Sequence, residues 1–109
     1  MRVAIAVDGD EVSPHFGRCE RYELVDLTDG KVAARQRLAH PGHAPGELPP
    51  YLKQVGADCI VAGGMGPRAV GLFESLGMQV IVGVSGPLED VVTALAEGRL
   101  EGGDSLCDH

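Results

Sequence analysis

Tryptophan is absent from the 109 residues, and only Phe16, Tyr22, Tyr51 and Phe73 are aromatic. The core must therefore come from Val, Leu, Ile and Ala, and a platform for stacking bases is excluded. Basic residues are scarce as well: nine Lys and Arg stand against sixteen Asp and Glu, a formal net charge of −7. That sign opposes a phosphate backbone, so nucleic acid is not an expected partner. Three cysteines, an odd number at wide spacing, make no disulfide framework. In a reducing compartment, metal and redox roles come before bridges. Long apolar runs are missing too. The opening run Val3, Ala4, Ile5, Ala6, Val7 is broken by Asp8, too soon for a signal peptide or a membrane span. A cytoplasmic location with no membrane partner is expected.

What the chain does have is glycine, and its organising stretch is residues 59–68. There Cys59, Ile60, Val61 and Ala62 run into Gly63, Gly64, Met65 and Gly66, and then Pro67 and Arg68. This reads as strand, tight turn and helix start. Glycine permits positive φ or a close approach to a ligand, and proline suits a first helical turn because no N–H is needed there. The following helix, with Val70, Leu72, Phe73 and Leu76 near one stripe, should stop at Gly77. Its free N–H groups would face the space beyond the strand end, where open α/β sheets hold ligands, and the favoured guest is an anion.

The rest of the chain supplies a sheet. Residues 2–7 suit a strand buried on both faces, closed by Asp8, Gly9 and Asp10, after which residues 13–19 form a polar loop. Residues 22–27 and 31–38 read as an antiparallel hairpin about Thr28, Asp29 and Gly30. A short helix with Leu48, Leu52 and Val55 on one side tolerates Pro49 and Pro50 only in its first turn. Strands over 58–62 and 79–84 follow, and a last helix carries Leu88, Val91, Val92 and Leu95, with Glu89 and Asp90 in its first turn. The expected fold is α/β, a single domain over residues 1–109 with a mixed sheet of about five strands, helices packed on it, and a flexible tail at 99–109.

Metal-capable side chains gather in three loop or tail segments: His15 with Cys19, His40 with His43, and Cys107 with His109. Thiolate and imidazole suit zinc, iron, copper and iron–sulfur species, but no Cys-x-x-Cys spacing marks a zinc knuckle. A plainer reading stands beside each: loop histidines can be solvated, the C-terminal Cys-Asp-His can be a loose end, and Cys59 inside an apolar strand is a small core residue. Arg18 and Arg68 can pair with surface carboxylates. A Walker loop is excluded because the glycine turn lacks Gly-Lys-Ser/Thr, and Asp8, Asp26 and Asp58 form no set that a two-metal nuclease would need. An enzyme is the weaker reading.

Three stretches taken together carry a family resemblance: Ser13-Pro14-His15-Phe16-Gly17-Arg18-Cys19, Gly63-Gly64-Met65-Gly66-Pro67-Arg68-Ala69, and the final Cys107-Asp108-His109. In this order they resemble the dinitrogenase iron–molybdenum cofactor biosynthesis family, small domains akin to NifX and to the C-terminal part of NifB. The resemblance implies a ribonuclease-H-like fold without nuclease function, and a non-catalytic carrier or store for an iron–sulfur or iron–molybdenum–sulfur cluster. Lacking the radical-enzyme region of the NifB form, the chain is expected to hold the cluster rather than build it, and to exchange it with donor and acceptor proteins. The turn Gly63, Gly64, Met65 and Gly66, with Arg18 or Arg68, would cradle the anionic cluster while His15 or Cys19 bonds to it. Cys107 and His109 would close over it, and His43 is a further candidate ligand. The alternatives are an interaction module of the same fold that binds no cluster, its acidic surface meeting a basic partner, and a small enzyme acting on an anionic substrate.

Overall fold

In the computed structural model, which describes residues 1–42 and 47–100, the alternation at the N-terminus becomes a central strand. All of Val3, Ala4, Ile5, Ala6 and Val7 are buried in β1 (Arg2–Asp8). Successive side chains of a strand point to opposite faces. Ala4 and Ala6 therefore lie on one face and Val3, Ile5 and Val7 on the other, and the two faces carry separate cores.

The sheet grows outward from β1. A two-residue strand, β2 (Glu11–Val12), folds back on its end; β3 (Arg21–Thr28) pairs along it antiparallel, and β4 (Lys31–Ala39) continues the hairpin. On the other side β5 (Cys59–Val61) and then β6 (Gln79–Ile81) run parallel. The order is β4-β3-β1-β5-β6, six strands among the described residues once β2 is counted. The mixed α/β architecture expected from the sequence is what forms, with β2 as an added strand. Sequence patterning could not announce it, because two residues carry no period. The strand expected over 79–84 ends at Ile81, where the chain bends so that the Gly83 N–H can donate to Gly63 O at 2.9 Å.

Among the described residues three α-helices cover the two faces unequally. Helices α1 (Leu48–Gln54) and α2 (Pro67–Ser75) pack on the alanine face, where the small Ala4 and Ala6 leave room for Tyr22, Leu48, Leu52 and Phe73. Helix α3 (Leu88–Ala96) sits alone on the other face, so the larger Val3, Ile5 and Val7 fill the space beneath it, with Leu88, Val91 and Val92. Each fully buried Leu or Phe contributes about 1.5–3 kcal/mol relative to an exposed one, so most of the stability resides in these two layers. Gly77 ends α2 in a left-handed conformation (φ +77°), as the stop signal in the sequence requires.

At the free edge, β4 is exposed along nearly its whole length, with only Leu38 half-buried, and it carries Lys31, Arg35 and Arg37. Among the described residues no helix is long and apolar enough to cross a membrane. His43, Cys107, His109 and most of the expected tail lie outside the described residues.

Candidate functional site

The loop after β2 is held at both ends by one carboxylate. Asp8, at the exit of β1, places Oδ2 2.8 Å from the Ser13 hydroxyl and accepts the Glu20 N–H on Oδ1 at 2.8 Å. Ser13 is fully buried, and its Oγ accepts the His15 N–H at 3.2 Å. Main-chain bonds from Ser13 to Ala6 O and from Glu20 to Val7 O finish the anchorage. Composition and periodicity do not distinguish Asp8 from other strand-end acids, because its partners Ser13 and Glu20 are brought to it by the fold of the loop.

The glycine turn then docks on this loop. The Gly63 N–H donates to Ser13 O at 2.8 Å and the Phe16 N–H to Gly64 O at 3.0 Å. A Cβ on Gly63 would stand 2.7 Å from Pro14 Cα and 3.0 Å from Ser13 O. The close approach that this glycine permits is thus to the 13–14 backbone, and Gly63 is not on the cavity wall. Tyr22 fixes the far side, its buried hydroxyl donating to Phe16 O at 3.0 Å, while the Phe16 ring packs edge-on against Phe73.

Between loop and turn lies a cavity of about 650 Å³. His15 and Arg18 reach it from the loop, Gly64, Met65 and Gly66 from the turn, and Arg68 from the first turn of α2. Met65 is buried, whereas His15, Arg18 and Arg68 are exposed. No described residue lining the cavity is acidic. Gly66 is the N-cap of α2 and offers no side chain, so the unpaired N–H groups of the first turn keep their positive field. Phe16, Ala69 and Leu72 add an apolar wall. Ala69 and Leu72, three residues apart on α2 and so on one side of it, line the cavity too, a helical spacing that could have marked them.

Other candidates are placed elsewhere. Cys19 is buried in the core beside Tyr22 and does not line the cavity; burial pushes its thiol above the ordinary range. The thiol of Cys59, inside β5, is pushed up to about 11, first by burial and then by Asp58. His40 stacks on Tyr22 with ring centroids 5.8 Å apart, and its Nδ1 accepts the Gly42 N–H at 3.0 Å. Among the described residues no group of three or more His, Cys, Asp or Glu side chains converges as a metal-ion site. The arrangement sets one exposed imidazole and two exposed guanidinium groups beside an apolar wall, a combination whose chemistry suits an anion.

Known proteins share this arrangement of elements. The chain superposes on the crystal structure of PH0822 with a TM-score of 0.87 at 38% identity, covering 93% of each chain. It also superposes on the apo form of the orange protein from Desulfovibrio gigas with a TM-score of 0.75 at 22% identity, covering 95% of this chain and 93% of that one. In sequence it is 27% identical over 106 residues to an uncharacterised protein of Methanocaldococcus jannaschii, covering 93% of this chain and 90% of the relative. The model of one family, described as dinitrogenase iron–molybdenum cofactor, matches residues 1–98, and the chain belongs to that family.

Proposed function

We propose that the cavity receives a preassembled, anionic metal–sulfur cluster, iron–sulfur or iron–molybdenum–sulfur, and that the protein carries or stores it without catalysing a reaction. One observation carries the reading: Arg18, Arg68 and the uncapped start of α2 surround a cavity lined, among the described residues, by no acid and by one exposed imidazole, His15. A bare metal ion needs three or four protein ligands, which do not converge among the described residues. A cluster brings its own sulfides and leaves the protein few bonds to make.

In this reading the guanidinium groups and the N–H groups of α2 offset the cluster charge. His15 supplies the direct bond to metal, and the thioether of Met65 offers a soft contact. Cys19 would have to leave the core and lose its proton to join them, so it is not a resident ligand. Weak and numerous contacts suit a carrier that must hand its cargo from a donor protein to an acceptor, and the proposed location is the cytoplasm. The relation to a cofactor family supports this reading.

The test is anaerobic purification followed by elemental analysis for iron, molybdenum, copper, zinc and acid-labile sulfide, with a visible spectrum before and after incubation with a cluster source. Metal and sulfide in fixed ratio to protein, lost in His15→Ala while folding is retained, is the expected result. A colourless protein that stays metal-free overturns the proposal and favours an interaction module.

A further inference from the structure

We infer a second binding site, for a small zwitterion of the free α-amino-acid class, in the cleft between the β3–β4 hairpin and the first turn of α3. The cleft measures about 310 Å³ and lies on the opposite side of the sheet from the first cavity, since Glu23 alternates with Tyr22 along β3. It shares no lining residue with that cavity and does not depend on the proposed cluster role.

Its charges are balanced but incompletely used. Arg35 is fully engaged, with Nε 2.9 Å from Glu23 Oε2 and Nη1 and Nη2 each 2.8 Å from the Glu89 carboxylate. Two neighbours are not. Glu23 has a side chain only 7% exposed, yet its Oε1 has no hydrogen-bond partner, and the Nε of Arg21 is likewise buried and unpaired. Arg37 stands directly across from Glu23 in the β3–β4 register and makes no ion pair among the described residues. Asp10 borders the same space.

A buried acceptor on a carboxylate and a buried donor on a guanidinium, side by side on one strand face, call for a guest of both signs. A plain anion would meet Asp10, Glu23 and Glu89; a plain cation would meet Arg21, Arg35 and Arg37. A zwitterion meets neither problem. Its ammonium donates to Glu23 Oε1, and its carboxylate accepts from Arg37 and Arg21. The volume stands at the small end for ligand pockets, which suits a small guest.

The experiment is an amide NMR titration of the full chain with each of the common free amino acids. Acetate and methylammonium serve as half-ligands, and wild type, Arg37→Ala and His15→Ala are compared. The expected result is saturable shifts for at least one amino acid, confined to residues 21–23, 35–37 and 88–89, absent with either half-ligand at equal concentration. Affinity falls at least tenfold in Arg37→Ala, an exposed position whose loss leaves the core intact, and is unchanged in His15→Ala. No saturable shift at millimolar amino acid would mean that only water fills the cleft and would overturn the inference. Shifts that survive Arg37→Ala unchanged, or that centre on His15 and Gly64, would overturn it equally.

Discussion

Two strand–turn–helix units follow each other in this chain, β5 into α2 and β6 into α3, and they differ where the helices begin. Neither N-cap residue, Gly66 or Pro87, makes a side-chain cap. The first turn of α3 holds Glu89 and Asp90, while that of α2 holds no acid and carries Arg68. A helix start is equivalent to roughly half a positive charge. In α3 that field is met by the helix's own carboxylates; in α2 it is left to an outside anion. The same supersecondary unit thus begins once with its field met and once with it open, and the composition of one turn decides which.

The comparison breaks most severely at Gly63. Gly63→Ala sets a methyl against Pro14 Cα at 2.7 Å and against the carbonyls of Ser13 and Val84, all backbone atoms that cannot rotate away. A loss of about 2–3 kcal/mol in urea unfolding is expected, together with loss of the cavity. Gly66→Ala, with open space around the added methyl, should stay within about 0.5 kcal/mol of wild type. Equal stability of the two variants would show that the loop does not clamp the turn.

A smaller effect comes from making α2 resemble α3. Ala69→Glu puts a carboxylate in the receptive first turn beside the cavity, and cluster retention should fall about tenfold, or ~1.4 kcal/mol, with little change in melting temperature. Retention at the wild-type level would remove the helix field from the account.

The least effect concerns the helix whose field is already met. The hydrogen bond from Arg35 holds the Glu89 carboxyl below its ordinary value of 4.5, an effect that Arg35's charge reinforces. A depressed folded value means that the contribution is complete above pH 4.5 and is lost as pH falls through the folded value. Glu89→Gln, which leaves the bond from Arg35 to the buried Glu23 in place, should therefore flatten the dependence of stability on pH below that point. The slope will not vanish, because Asp26, lowered by its hydrogen bond to Arg2, contributes in the same direction. An unchanged acid limb would show that the exposed Glu89 pair is fully screened.

Much of this was legible in the sequence because it rests on local rules. The alternation of residues 3–7, the turn at Thr28, Asp29 and Gly30, and the punctuation of α2 by Pro67 and Gly77 each announce their element. The motif residues His15, Arg18, Gly64, Met65, Gly66 and Arg68 do meet around one cavity. What stayed hidden was direction. Cys19 and His15 share a loop, and no periodicity there tells which side chain turns inward; the clasp of Asp8 on Ser13 and Glu20 settles it, with His15 exposed and Cys19 buried. His40 was a ligand candidate by type, yet it stacks on Tyr22, a contact 18 residues distant that sequence pattern does not encode. Gly63, expected at the ligand, packs against the 13–14 backbone instead.

The nine-residue outer edge of β4 has its own consequence for the molecule in solution. A long strand with an unpaired side invites another strand to add to it. Here the strand carries Lys31 and Arg37, neither of them ion-paired among the described residues, on a molecule of net charge −7, while Arg35 is held by Glu23 and Glu89. Two copies approaching edge to edge bring like charges together, and the repulsion opposes the first step of fibrous self-association. The guard is electrostatic, with a reach of about 10 Å at 0.1 M salt. Its strength therefore varies with the ionic strength around the protein.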